Sequence, residues 1–208
     1  LMDKHDLGLH TEQFTSSMAD LIEAGVITGA RKAYDQGMHV GVFADGTHEL
    51  YQYLHNNPKC IMKPGPEVLN PHNIARQDHM VSINTLVEID LTGQVCAESI
   101  GTRQYSGTGG QVDFIRGATL AKNGKAIIAM TSTTKTKNGV VSKIAPTLMA
   151  GSVVTSLRTD VQYFVTEYGC VNLMYCDIPE RCRRLISIAH PDFRDELTHE
   201  AKKLGYLY

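Results

Sequence analysis

The chain has 208 residues, of which 42% are hydrophobic and 20% are charged, a composition typical of a soluble globular protein and too apolar for a disordered one. Twenty Lys and Arg stand against 22 Asp and Glu, so a formal net charge of −2 offers no electrostatic footprint for nucleic acid or an anionic membrane. No apolar run approaches the roughly 18 residues of a membrane span.

The first part of the chain alternates short apolar runs with helical patterns, which predicts α/β layers. A helix is expected to begin near Ser16, with Met18, Leu21 and Ile22 on one face, and to end at Gly25. The elements predicted after it are a buried strand over 38–44, a helix over 47–56, a strand over Cys60–Met62 and a rigid turn over 64–66.

The central part begins with a predicted long strand over 80–90. A turn over 90–93, with Asp first and Gly last, then leads into a hairpin partner over 94–99. A polar, glycine-bearing loop is predicted over 101–110, a helix over 111–121 and a strand over 125–131.

The last part shows little periodicity over 132–152, which predicts a long loop with a short strand near 140–144. A buried strand over 161–166 follows. A capping pattern from Asp177 to Glu180 predicts a helix that continues to residue 189, and a last helix is expected over 192–204. These elements predict one compact α/β domain over residues 1–208, with a mixed, open sheet.

Several common chemistries lack their motifs in this sequence. The five cysteines form no CxxC pair, and the nine histidines form no HExxH. There is also no P-loop, no dinucleotide-binding glycine fingerprint and no GxSxG elbow. We therefore expect no metal site. Because no charged-then-apolar signal peptide opens the sequence, we also expect reduced thiols in a cytoplasmic protein.

Three polar segments remain as candidates, each with a plain structural alternative. Glu12 is a candidate covalent nucleophile or a solvated surface residue. Gly109 and Gly110 precede a predicted helix, where backbone N–H groups at the positive end of the helix dipole can bind an oxyanion or a phosphate. The structural alternative is a loop whose backbone needs positive φ. Glu167 follows a predicted buried strand, and in open α/β sheets ligands bind at the ends of strands. The structural alternative is an acid that caps a helix or forms a salt bridge.

Taken together, the motifs resemble the acetyl-CoA hydrolase/transferase family, in its 4-hydroxybutyrate and butyryl-CoA:acetate CoA-transferase branch. Residues 107–114 are similar to the family's "GxGGxxDF" loop, and residues 8–12 to the "G[IV]H[ST]E" segment with its catalytic glutamate. Residues 82–95 resemble the central hairpin, and residues 165–169 and 183–194 resemble the end of the domain. The resemblance runs in order over essentially the whole chain.

The resemblance implies a mixed-sheet α/β fold of the CoA-transferase type and a covalent mechanism. It implies that Glu12 attacks an acyl-CoA thioester. It implies that Gly109, Gly110 and Asn70 serve as oxyanion or CoA-binding groups. Glu167 and Lys135 are implied to bind CoA, with Lys137 an open alternative to Lys135. Coenzyme A is then a substrate, and no cofactor is permanently bound.

The same resemblance implies what surrounds the chain. Acyl-CoA and short carboxylic acids are the expected ligands, and a homo-oligomer is expected. Family enzymes have about twice this length, so we expect an N-terminal half before Leu1. Acyl-CoA hydrolysis, or a CoA-binding half that is inactive alone, stays open as an alternative.

Overall fold

The computed structural model describes residues 1–208, which form two compact units. The first consists of Leu1–Met80 and Leu120–Gly124, and the second of Val81–Thr119 and Lys125–Tyr208. The predicted α/β class is confirmed. The strands, however, are distributed over six small sheets, whereas the sequence predicted one mixed sheet.

The first unit combines short parallel strand pairs with short helices. Strand β1 pairs with β3, and β2 pairs with β4, both in parallel. Phe14, Leu9, Ala19, Ile27 and Leu50 form its buried core cluster. The elements are β1 Gln13–Phe14, α1 Ser16–Glu23, β2 His39–Gly41, β3 Phe43–Ala44, α2 His48–Leu54, β4 Cys60–Met62, α3 Gly65–Val68 and α4 Pro71–Ala75.

Two predictions in this unit are wrong in detail. The strand predicted over 38–44 is divided into β2 and β3, because the N–H groups of Val42 and Phe43 both donate to the carbonyl of Glu12. The turn predicted over 64–66 is the start of α3, where Pro66 lies in the first helical turn, a position that needs no N–H donor.

The second unit contains the larger sheet and the longer helices. Its elements are β5 Val81–Asn84, β6 Glu88–Asp90, β7 Val95–Cys96, β8 Ser99–Ile100, β9 Arg103–Gln104, α5 Gln111–Leu120, β10 Lys125–Ala129, β11 Thr133–Thr136, β12 Gly139–Ser142, β13 Ile144–Ala145, β14 Tyr163–Thr166, β15 Gly169–Asn172, α6 Ile178–Ser187, a 3₁₀ turn Pro191–Phe193 and α7 Arg194–Lys203.

The largest sheet has the order β15-β14-β10-β5. Strands β5, β10 and β14 run parallel, and β15 is antiparallel to β14. The carboxyl ends of β10 and β14 therefore meet at one edge of the sheet. The segments that follow them begin at residues 130 and 167.

Two further predictions in this unit are wrong. The long strand over 80–90 is two strands in different sheets, β5 in the four-stranded sheet and β6 between β13 and β7. The long loop over 132–152 contains the β11–β12 hairpin and β13. Sequence periodicity could not indicate these pairings, because short strands depend on partners elsewhere in the chain.

Other local predictions are confirmed. The hairpin around 90–93 exists as β6 and β7, and the Asp90 carboxylate accepts hydrogen bonds from the N–H groups of Thr92 and Gln94 inside it. Asp177 caps α6 by accepting from the N–H of Glu180 at 2.8 Å. None of the helices combines the length and the apolar character that crossing a membrane would require.

Candidate active site

The backbone of Glu12 is held firmly in the first unit. Its carbonyl accepts from the N–H groups of Val42 at 2.9 Å and Phe43 at 3.2 Å. One residue earlier, the N–H of Thr11 donates to the carbonyl of Val40 at 3.0 Å. Glu12 is half-buried at the entry to β1. A carboxylate on a fixed and partly dehydrated backbone suits nucleophilic attack, because a covalent nucleophile must be desolvated and oriented.

His10 is a buried residue two positions before Glu12, and it was not among the predicted site residues. It is 7% exposed, and its Nε2–H donates to the carbonyl of Val68 at 2.8 Å. Burial is the main cause that lowers the pKa of this imidazole, and nearby Lys32 lowers it further. The ring is therefore neutral at pH 7. It links the segment that carries Glu12 to the end of α3.

Asn70 lies two residues after that contact and begins α4. Its Oδ1 accepts from the N–H of His72 at 2.9 Å, which makes Asn70 the N-cap of the helix. The residue is exposed. Because the cap engages Oδ1, the amide Nδ2 is the atom left for a ligand, and it is a donor, which is what polarising a carbonyl requires. The predicted site residues Glu12 and Asn70 thus belong to one unit, linked through His10 and Val68.

Gly109 and Gly110 form the entry to α5 in the second unit. Gly109 has φ +61°, a conformation that favours glycine, and the Gly110 carbonyl accepts the first helical bond, from the N–H of Phe114 at 2.9 Å. Backbone N–H groups at a helix start point along the positive end of the helix dipole. This geometry is suited to binding an oxyanion. It is equally compatible with the structural alternative, a loop whose backbone needs positive φ at Gly109.

Glu167 lies at the end of β14, and both of its oxygens contact Ser132. Oε2 accepts from the Ser132 N–H at 2.8 Å, and Oε1 accepts from the Ser132 Oγ–H at 2.7 Å. Partial desolvation raises the pKa of Glu167, but its own N–H and the Ser132 donors lower it by more, so the pKa lies below the ordinary value. Ionised Glu167 retains lone pairs for a further donor such as a ligand N–H.

Ser132 and Lys143 are two residues of this sheet edge that the sequence analysis missed. Ser132 is fully buried after β10, and its carbonyl accepts from the N–H of Lys143 at 2.8 Å. Burial lowers the pKa of Lys143, and the charge of Glu167 opposes this effect. The available signal was positional, because Ser132 follows one parallel strand just as Glu167 follows its neighbour.

Lys135 lies on β11, close in sequence to Ser132, and faces Val140 of β12 in the strand register. Both Lys135 and Lys137 are exposed. Either ammonium group can therefore meet a phosphate, and the geometry does not choose between them. No set of three or more His, Cys, Asp or Glu side chains in the chain is arranged to hold a metal ion.

The fold places the chain among α/β proteins of the CoA-transferase type. The crystal structure of RipA from Yersinia pestis matches with a TM-score of 0.93 and 46% identity, over 100% of this chain and 46% of that one. The crystal structure of a 4-hydroxybutyrate CoA-transferase from Porphyromonas gingivalis matches with a TM-score of 0.80 and 38% identity, over 96% of this chain and 46% of that one.

The sequence comparisons identify the family. The profile of the acetyl-CoA hydrolase/transferase C-terminal domain matches residues 46–201, and the chain belongs to this family. The 4-hydroxybutyrate coenzyme A transferase of Clostridium kluyveri is 48% identical over 203 residues, covering 98% of this chain and 47% of that protein. The chain spans about half the length of the curated relatives it matches.

Proposed function

We propose that the chain is the C-terminal, nucleophile-bearing part of a CoA-transferase about twice its length. The transferase moves CoA between a short-chain acyl-CoA, 4-hydroxybutyryl-CoA or butyryl-CoA, and acetate. One observation carries the proposal: a chain 48% identical to a 4-hydroxybutyrate coenzyme A transferase holds Glu12 on a backbone fixed by Val42 and Phe43. Coenzyme A is a substrate, no cofactor is permanently bound, and the enzyme is a homo-oligomer.

The reaction begins with attack of the Glu12 carboxylate on the thioester carbonyl. The C–S bond breaks, which leaves an acyl-glutamyl anhydride and the CoA thiolate. The thiolate then attacks the glutamyl carbonyl, releases the acyl group as its carboxylate and leaves a glutamyl-CoA thioester. Acetate reverses both steps, so that acetyl-CoA leaves and free Glu12 returns. No proton, oxidant or metal is consumed.

Each tetrahedral intermediate in this scheme carries an oxyanion that needs donors. We assign this role to the N–H groups of Gly109 and Gly110 and to the amide of Asn70. Two features support the assignment: the glycines open α5 at the positive end of its dipole, and capping leaves the Asn70 Nδ2 as a donor. Loss of one such donor typically costs about 10²–10³ in rate.

Glu167 and Lys135 are assigned to CoA itself. An ionised Glu167, oriented by Ser132, is suited to accept an N–H of the pantetheine amides. The exposed ammonium of Lys135 is suited to a CoA phosphate, with Lys137 as its alternative.

The test uses the full-length polypeptide that contains these residues. It is mixed with butyryl-CoA or 4-hydroxybutyryl-CoA and acetate, and acetyl-CoA is followed by mass spectrometry. We expect transfer by the wild type, none by Glu12→Gln, and wild-type transfer by Glu23→Gln, a matched change of an exposed glutamate. Release of CoA without acetate would identify a hydrolase instead. No turnover by the wild type, or full turnover by Glu12→Gln, would reject the proposal.

A trapping experiment examines the covalent step separately. Hydroxylamine or borohydride added with the acyl-CoA should modify a peptide that contains Glu12 and leave Glu23 unmodified. Modification of a different residue in the active enzyme would refute the assignment of the nucleophile while leaving the transferase activity itself intact.

A further inference from the structure

Lys32 is a buried lysine whose ammonium group is bound to backbone carbonyls. The residue is 7% exposed, and Nζ donates to the carbonyl of Leu9 at 2.9 Å and to that of Met38 at 2.9 Å. Leu9 lies three residues before Glu12, and Met38 lies just before β2. One side chain therefore joins the segment leading to Glu12 to the strand beside it.

The two backbone segments joined by Lys32 also pair directly with each other. His10 and Val40 form an isolated parallel bridge. The N–H of Val40 donates to the carbonyl of Leu9 at 3.3 Å, a long bond on the same oxygen that Lys32 binds at 2.9 Å. Such a short bridge needs additional support, because an isolated pair of strands is marginal by itself.

Gly8 explains how the Lys32 stem reaches this position. A Cβ built on Gly8 would lie 2.6 Å from Lys32 Cγ and 3.3 Å from its Cδ. Real Cβ atoms do not approach other atoms so closely, and Cγ lies near the backbone end of the side chain, where it has little freedom to move. The missing side chain at Gly8 is thus the space through which Lys32 passes.

The charge on Lys32 is not explained by an ion pair. No carboxylate lies within bonding distance of its Nζ. The nearby carboxylate of Asp35 is bound by Lys63 at 2.9 Å, and Lys63 also binds Glu67 at 2.8 Å. Burying an ammonium group without a carboxylate partner costs free energy. The role of Lys32 must therefore lie in its two hydrogen bonds to backbone carbonyls.

We propose that Lys32 is a positioning residue for Glu12. It holds the Gly8–Glu12 segment against β2, so that the backbone presenting the Glu12 carboxylate cannot shift, and Gly8 leaves the room that this requires. The inference rests on the proposed function of Glu12. A misplacement of about 1 Å in a reacting group costs about 10²-fold in rate, which sets the size of the expected effect.

The test is made in the full-length enzyme with Lys32→Met, which keeps the stem and removes the donors. We expect kcat to fall by about 10²-fold while KM for acyl-CoA and acetate stays within about threefold, because only the nucleophile is displaced. The single-turnover rate of Glu12 modification should fall by the same factor. Lys32→Arg, which retains N–H donors, should recover most of the loss, and Lys59→Met, at an exposed lysine of the same unit, should equal the wild type.

Gly8→Ala provides an independent perturbation if Lys32→Met folds poorly. It should lower kcat in the wild-type background but add little to Lys32→Ala, because the colliding Cγ is then absent. Lys32→Met with a kcat within threefold of the wild type would overturn the inference, as would equal, additive effects of Gly8→Ala in both backgrounds. An inactive wild type would instead overturn the proposed function, which the first assay detects before any variant is made.

Discussion

Lys32 should make a contribution to the stability of this protein that rises with pH. Burial lowers the pKa of its ammonium group from 10.5 to about 8; Asp35 opposes this effect, and Lys63 adds to it. The folded state therefore releases the proton near pH 8, whereas the unfolded state keeps it to about pH 10.5. Because the unfolded state binds more protons within this window, raising the pH favours the folded state.

The size of this effect follows from the two pKa values. Each tenfold change in a proton equilibrium is about 1.4 kcal/mol, so the difference corresponds to about 3 kcal/mol in the free energy of unfolding. Below pH 8 the protein carries the full penalty for the buried charge. Between pH 7 and pH 10, deprotonation of Lys32 should raise the free energy of unfolding by about 2–3 kcal/mol.

Urea denaturation of the wild type and of Lys32→Met, from pH 7 to pH 10, isolates this contribution. Tyrosine and cysteine groups titrate in the same range, but they are common to both proteins and cancel in the difference. At pH 7 the variant should lie within about 2 kcal/mol of the wild type, because removing the buried charge offsets the two lost hydrogen bonds. As the pH rises, the wild type should gain on the variant.

Lys59→Met is the matched control, because this lysine is exposed and makes no side-chain hydrogen bond. Its stability should follow that of the wild type at every pH. Parallel curves for the wild type and Lys32→Met, or a wild type that loses stability relative to the variant as the pH rises, would refute the reasoning, since either result means that Lys32 carries no buried charge in the folded protein.

Three further predictions concern stability and reactivity. Ser132→Ala removes the 2.7 Å bond to Glu167 and should lower the free energy of unfolding by about 1 kcal/mol in thermal melts; an unchanged melt would contradict this. Asp177→Ala removes the cap of α6 and should cost about 1 kcal/mol, which Asp177→Ser should largely restore. A thiol reagent should label exposed Cys170 well before Cys182, whose pKa burial raises to about 11, as peptide masses will show; equal labelling would disprove that burial.

Local chemistry explains which elements were predictable. The start of α6 depends on Asp177 accepting from the N–H of Glu180, and the hairpin at 90–93 depends on Asp90 accepting from donors two and four residues away. In each case the partners lie within one turn of chain. A residue pattern is then sufficient to predict the structure.

Long-range pairing explains which predictions failed. The strand expected over 80–90 is divided because β5 pairs with β10, whereas β6 pairs with β7 and β13. The strand expected over 38–44 is divided because Val42 and Phe43 donate to Glu12, thirty residues away. Nothing within an apolar run of this length indicates where one strand ends and the next begins to pair with a different strand.

The candidate site divides along the same line. Motif resemblance was enough to select Glu12, Asn70, Gly109, Gly110, Glu167 and Lys135, whose assigned roles remain proposals. Resemblance could not reveal that Ser132 orients Glu167 from 35 residues away, or that Lys32 is buried against the carbonyl of Leu9. A serine or a lysine is usually exposed, so its burial is not visible in composition or periodicity.

The sequence by itself determined the α/β class, the Asp177 cap that starts α6, the hairpin at 90–93 and the chemical types of the candidate groups, because each depends on residues a few positions apart. Only the tertiary structure decided which strands pair, that Lys32 passes over Gly8, and that Ser132 holds Glu167. Those features depend on burial and on contacts between distant segments, which exist only after the chain has folded and water has been excluded.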